Sequence, residues 1–266
     1  MVSKAEYDHL YLSPHLDDVV LSCGGLIRKQ TLAGERVLVV TLFAGIPSYE
    51  RLSLFARFLH FLWGRHSDPV GHRRQEDRAA LSRLGADPLH LDFLEAIYRG
   101  ALRQKPSGQA LDFLYRSNRA LFGAIDPQDE KLHIELASAI EEVVKRQGKP
   151  LLYAPLAVGH HVDHRIARRA ADSLRRRGYP VTYYEDFPYA KEEEALLLAL
   201  GAREEWSPTL EGIAETIEEK IEAIALYASQ IFVLFRRKKT MERRMRAYAS
   251  SLAPERGPCE RYWKPA

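Results

Sequence analysis

The segment HLYLSPHLDDVVLSCGG, residues 9–25, decides the fold. His9 to Ser13 is an apolar run of the kind that forms a buried strand, and Pro14 to Asp18 breaks it with a sharp polar turn. A helix then enters near Val19 or a few residues later, and the next apolar run, Arg36 to Leu42 (RVLVVTL), supplies a second strand. The helix between the two strands is expected over Gly24 to Gly34. Working outward, Pro88 to Phe93 (PLHLDF), Leu151 to Ala154 (LLYA) and Val181 to Tyr184 (VTYY) read as three more strands. Helical patterns lie between them, at about Arg73 to Leu84, Lys131 to Gln147 and Asp163 to Arg177. Strands that alternate with helices and are apolar nearly throughout imply a mostly parallel sheet covered on both faces. The expected class is therefore α/β, a three-layer Rossmann-like fold.

Two long segments interrupt that rhythm, Gly45 to His72 and Ile97 to Glu130, and connections of this length are usually functional loops, lids or small inserted helices. From Lys191 onward the pattern reads as helical only, through Glu211 to Tyr227 and Thr240 to Ser251. The whole chain, 1–266, is expected to form one domain with a core over about 7–190 and a helical C-terminal extension over about 191–266.

Composition narrows the function classes. The 266 residues carry 39 basic and 36 acidic side chains, a formal charge of only +3, too weak to argue for nucleic acid or an anionic membrane. The basic runs Arg175 to Arg177 and Arg236 to Lys239 read as solvated helix faces. The only cysteines, Cys23 and Cys259, exclude a disulfide framework and a cysteine-based zinc site. No apolar run approaches the roughly 18 residues of a membrane span, and the first residues lack the apolar stretch of a signal peptide. A reduced cytoplasmic setting, with no nucleic-acid partner and no stable membrane anchoring, is the expectation. The aromatic set Phe55, Phe58, Leu59, Leu62 and Trp63 has helical spacing and suits core or lid packing.

Chemistry concentrates in two places. The turn after the first strand delivers His15, Asp17 and Asp18 to the carboxyl edge of the sheet, where open α/β sheets bind ligands. An imidazole with carboxylates is a set that a divalent metal would stabilise, although an aspartate there could also simply cap the helix. The following Cys-Gly-Gly is a poor match to a dinucleotide loop. After the strand at 151–154, the loop PLAVGHHVDHR (155–165) brings His160, His161, Asp163 and His164 to a second strand end. His161 and His164 are three apart and would share a helix face. In a parallel sheet both clusters face one edge. One aspartate and two histidines drawn from them make a three-ligand site with an open position, the layout of a catalytic zinc.

Pro14-His15-Leu16-Asp17-Asp18 and His161-Val162-Asp163-His164 resemble the PHPDD-type and HPDH-type signatures of the PIG-L (LmbE-like) family of metal-dependent de-N-acetylases. The helix RRQEDRAALSRLG (73–85) looks like that family's Arg-x-x-Glu helix, and the likeness covers roughly residues 7 to 190. The resemblance implies Zn²⁺, with Fe²⁺ as the alternative ion, held by His15, Asp18 and His164. It further implies Asp17 as general base, His161 as oxyanion partner and Asp163 as the group that orients His161. Arg73 and Glu76 would contact substrate hydroxyls or shape the cleft, with Arg74 competing for the first role. Leu16 and Val162 stand where the family has prolines, and Val19 where it has a glutamate.

The implied reaction is removal of an acetyl group from an N-acetylated amino sugar, an N-acetylglucosaminide-type conjugate, by metal-activated water. The small-molecule sugar conjugate is the expected partner, and a homo-oligomer would be in keeping with the family. A non-haem Fe(II) enzyme uses a similar ligand set but needs no second aspartate beside it. A metal-containing sugar-binding protein without turnover would need neither Asp17 nor His161. The segment YYEDFPYA places Tyr184, Glu185 and Asp186 at the same sheet edge as the two clusters.

Overall fold

The computed structural model describes residues 6–105, 108–201 and 205–265. Its elements run β1 (His9–Ser13), α1 (Asp18–Leu32), β2 (Val37–Thr41), α2 (Leu54–Leu62), α3 (Pro69–Leu84), β3 (Asp87–His90), β4 (Gly100–Lys105) and β5 (Gly108–Phe113). They continue with α4 (Asn118–Leu121), α5 (Leu132–Lys145), β6 (Leu151–Pro155), α6 (Val162–Arg176), β7 (Val181–Tyr184) and α7 (Glu193–Leu200). The last are β8 (Trp206–Gly212), α8 (Ile217–Ile224), α9 (Ala228–Phe235), α10 (Lys238–Ser251) and β9 (Cys259–Pro265).

Seven strands form one sheet in the order β3-β2-β1-β6-β7-β9-β8. The five strands from β3 to β7 are parallel, and β9 and β8 complete the sheet antiparallel. Period-two alternation sorts their side chains into two cores. Leu10, Leu12, Leu38, Val40, Leu152 and Ala154 meet α5 and α6 on one face, through Leu136, Ile140, Ile166 and Ala170. Tyr11, Val37, Val39 and Tyr153 meet α1, α3 and α8 on the other, through Val20, Ile27, Leu81 and Ile221. The α/β expectation stands, with helices on both faces.

Three readings of the sequence need correction. The segment after Lys191 is not helical only: β8 and β9 pair with each other over seven residues, and β9 joins β7 at Tyr183↔Trp263 and Tyr184↔Tyr262. Pro208 and the mixed charged and aromatic sequence CERYWKP hid both strands. Helix α1 also starts six residues earlier than Gly24 and carries its glycines inside. A Cβ on Gly25 would come within 2.7 Å of the Ile213 side chain, so the Cys-Gly-Gly run serves close packing of the chain before α8. Helix α3 likewise begins at Pro69, whose missing N–H suits a first turn, with the Asp68 side chain accepting from Gly71 N at 2.9 Å. The insertion at 97–130 contains the β4–β5 hairpin. No helix among the described residues is long and apolar enough to cross a membrane.

Candidate active site

β1 lies between β2 and β6, so the chain leaves it in one direction and returns on its other side. This is the point where an open parallel sheet forms a crevice at its carboxyl ends. The turn after β1 and the loop after β6 therefore converge there. His15, Asp17, Asp18, His161, Asp163 and His164 all line one cavity of about 170 Å³. Clefts of about 400 Å³ and 530 Å³ occur elsewhere, but neither gathers titratable groups in this way.

Asp18 Oδ2 lies 3.1 Å from His15 Nδ1 and 3.2 Å from His164 Nε2, and it accepts the His15 backbone N–H at 2.8 Å. The other nitrogen of each imidazole meets a carboxylate: His15 Nε2 is 2.9 Å from Asp163 Oδ2, and His164 Nδ1 is 2.6 Å from Asp186 Oδ1. Carboxylates behind two histidines fix which nitrogen faces forward, the usual arrangement behind metal-binding imidazoles. One carboxylate oxygen in contact with two imidazole nitrogens is a donor set that fits zinc or iron(II). His161 offers a further nitrogen, and one ligand atom each from His15, His161 and His164 lie within 4.8 Å of one another.

Charge follows the same plan. Burial opposes protonation of His15 and His164, but the carboxylates around them win. His15 is held well above the ordinary histidine value by Asp163 and Asp18, and His164 is raised to about 9 by Asp18 and Asp186. These two sites thus strongly attract positive charge. Asp18 sits in the first turn of α1, and His164 and His15 hold it well below the usual carboxylate range against the cost of burial. Asp17 behaves oppositely: burial and the Asp18 charge push it up to about 7. Although Asp17 occupies the N-cap position of α1, its side chain makes no capping hydrogen bond, which leaves the carboxylate free for other work.

His161 is the N-cap of α6, and its Nδ1 accepts the Asp163 backbone N–H at 3.2 Å. The proton of a neutral ring then resides on Nε2. Burial and the neighbouring His15 lower His161 to about 3, so the ring is neutral. The loop before it is sharply turned, with Ala157 and His160 both at left-handed φ, 63° and 64°. Gly159, at φ 86°, lies against Tyr189, where a Cβ would come within 2.6 Å of the ring. The expectation that the Asp163 carboxylate orients His161 is not what the structure has. That carboxylate turns to His15, Arg99 and the Ala96 N–H, whose donors take up both of its oxygens.

Arg73 lines the cavity, with Nη1 2.5 Å from Glu95 Oε1, Nη2 3.9 Å from Asp17 Oδ1 and its guanidinium 4.5 Å above the Trp63 ring. Arg74 points elsewhere, to Ala44 O and Asp92. Glu76 does not reach the cavity lining; it accepts from Ser229 N at 2.9 Å and Ser229 Oγ at 2.5 Å in the first turn of α9. Leu59 of α2, Trp63 just past its end, and Val233 and Leu234 of α9 form an apolar wall, with Gln230 as its polar member, while Leu54, Phe58 and Phe61 face solvent. The sequence reading missed Glu95, although its place just past β3, at the same carboxyl edge, is the signal that would have found it. It also missed Arg99, a buried cation within the insertion, for which no local signal exists. Asp186, placed at the sheet edge from sequence, lies behind His164.

Residues 10–174 match the model of the family described as PIG-L, GlcNAc-PI de-N-acetylase. A 2'-N-acetylparomamine deacetylase from Niallia circulans is 33% identical over 203 residues, covering 71% of this chain and 70% of that protein. A 2'-N-acetylparomamine deacetylase from Streptomyces fradiae is 28% identical, covering 83% and 72%. Among solved structures, the zinc-inhibited form of teicoplanin deacetylase Orf2 superposes with a TM-score of 0.80 at 29% identity, covering 97% of this chain and 98% of that one.

Proposed function

The chain belongs to the PIG-L family and is a deacetylase, and we propose that it removes the acetyl group from the amino-sugar nitrogen of a small-molecule glycoside, with zinc as its metal and Asp17 as its base. The substrate class rests on the named relatives, which are deacetylases of 2'-N-acetylparomamine and of teicoplanin. The observation that carries the chemistry is Asp18 Oδ2 in contact with His15 Nδ1 and His164 Nε2, beside the buried carboxylate of Asp17.

His15, Asp18 and His164 would hold the ion, which when bound supplies Lewis-acid polarisation to an acetamide carbonyl and to water. Asp17 takes a proton from the attacking water. Its affinity for protons, raised to about 7, matches the neutral pH at which a general base works best. The carbonyl oxygen gains negative charge as the water adds, and His161 Nε2–H, fixed in that tautomer by the bond to its Nδ1, donates to it. Asp17 then returns its proton to the departing amine nitrogen, so the carbon–nitrogen bond breaks with a neutral amine as leaving group. Arg73 and Glu95 present a donor and an acceptor side by side, the pairing that a sugar hydroxyl requires. The wall of α2 and α9 receives the rest of the glycoside.

Acetate release from a panel of N-acetylated aminoglycosides and N-acetylglucosaminides tests this reading, run with zinc-loaded, iron(II)-loaded and Asp17→Asn protein, with and without oxygen. Zinc-supported, oxygen-independent release that disappears in Asp17→Asn is expected. Release that requires iron and oxygen, or that survives in Asp17→Asn, would overturn it.

A further inference from the structure

The insertion at 97–130 reaches the metal-binding edge through buried charges. Arg99 stands just past the short turn Ala96–Tyr98, and its Nη1 donates to Asp163 Oδ1 at 2.6 Å while its Nε donates to Asp129 Oδ2 at 2.8 Å. Asp129, from the same insertion, occupies the turn Pro127–Asp129. All three side chains are removed from solvent, Asp163 completely. Asp163 Oδ2, its second oxygen, accepts the Ala96 backbone N–H at 2.9 Å and faces His15 Nε2 at 2.9 Å. The guanidinium is seated between the rings of Phe43 and Tyr115, at 5.2 Å and 5.4 Å. Its Nη2 is buried with no hydrogen-bond partner among the described residues. The arginine is therefore placed for its contacts with the two aspartates, even though that pose strands a donor.

We propose that Arg99 and Asp129 are positioning residues for His15, acting through Asp163: they lock the carboxylate so that His15 keeps its Nε2 side tied and turns Nδ1 toward the metal. The inference deepens the proposed function and rests on its reading of His15 as a ligand. Its physical basis is directional. A carboxylate held at both oxygens cannot rotate, so the imidazole bonded to it has one orientation and one tautomer. Without Arg99, Asp163 would be a buried charge with only a backbone N–H and the histidine to hold it, and its Oδ1 would be free to turn. The insertion thereby acts on the metal centre as well as on the space around the substrate.

The test is zinc affinity, measured by chelator competition, together with the visible spectrum of the cobalt(II)-substituted protein. Arg99→Met is expected to weaken zinc binding roughly 10–100-fold, the range for groups that support a metal-binding histidine, and to shift the cobalt bands. Asp129→Asn and Arg99→Lys, which preserve shape or charge, should give smaller losses in the same direction, and they carry the test if Arg99→Met fails to fold. In an Asp163→Asn background the Arg99 substitution should add nothing, because its route to His15 is already cut. Unchanged zinc affinity and cobalt spectrum in the Arg99 and Asp129 variants would overturn the relay, as would a full Arg99 penalty in the Asp163→Asn background. His15→Ala separates the two levels. If that variant keeps its zinc, the metal-site reading itself has failed; if it loses zinc while the Arg99 and Asp129 variants keep it, only the relay has.

Discussion

Glu76 accepts two hydrogen bonds from Ser229, one from its backbone N–H and one from its hydroxyl, across 153 positions of the chain. Next to it, Asp77 accepts from Tyr227 at 2.7 Å and contacts His90 at 2.7 Å. One turn of α3 thus carries Arg73 into the cavity and fastens α9, the opposite wall, by its first turn. Glu76→Ala leaves two buried donors unsatisfied and is expected to cost about 1–3 kcal/mol of stability. Because α9 loses its anchor, KM should rise more than kcat falls. Urea unfolding and steady-state kinetics check both, and an unchanged KM would show that α9 is held without Glu76, by Asp77–Tyr227 and its apolar contacts.

Replacement of His15, Asp18 or His164 by alanine should abolish both stoichiometric metal and acetate release. Elemental analysis of the purified variants decides this, and a variant that retains one equivalent of metal is not missing a ligand.

Asp17→Asn keeps size and shape but removes the proton acceptor. Turnover should fall about 10²–10⁴-fold, the contribution typical of a positioned base, with metal content unchanged.

His161→Ala should lose about 10²–10³ in turnover, the cost of one oxyanion donor, and keep its metal. This variant also discriminates between site chemistries, since His161 lies with His15 and His164 in a group compact enough to hold an ion. Loss of metal in His161→Ala would make it a ligand and leave the donor role vacant.

Metal uptake should depend on pH with a definite sign. In the metal-free protein His164, raised from its usual 6.5 to about 9, holds a proton at neutral pH, and His15 is shifted the same way. A metal ion must displace those protons, so affinity should climb as pH rises toward about 9 and then level. The stability of the metal-free protein runs oppositely. The contribution of a raised histidine is full below 6.5 and lost as pH passes through about 9. Thermal melts with and without zinc across that window should therefore diverge as pH increases.

Much of this site was legible because its histidines and carboxylates cluster locally. His15 and Asp18 are bound to each other by a single turn, and a turn after a buried strand can be recognised from seventeen letters of sequence. That His164 would meet them followed from parallel strands sharing an edge. The partner of Asp163 was not legible: whether its carboxylate faces His161 or His15 depends on how α6 sits against the β1 turn, a matter of packing between segments far apart. Arg73 and Glu76 show the same limit within one motif. Both were singled out, but the face of α3 that looks into the cavity is set by where α9 docks, and α9 falls between the two tail helices read from the sequence. Strand β8 escaped because an edge strand carries charge and proline as protection, and this blurs the alternation that identifies interior ones; β9, paired on both sides, escaped because its charged and aromatic residues, CERYWKP, show no apolar run.

The pairing of β9 with β7 has a temporal consequence. Trp263 donates to Glu185 at 2.7 Å across 78 positions, and Arg261 and Tyr248 hold the same carboxylate, immediately before the Asp186 that steadies His164. During synthesis, the scaffold behind that histidine stays unfinished until the segment around residue 263 has left the ribosome. Contacts of such long range form slowly, so β7 stays an open sheet edge until β9 pairs with it, and the backbone that carries Asp186 to His164 is pinned only after that pairing.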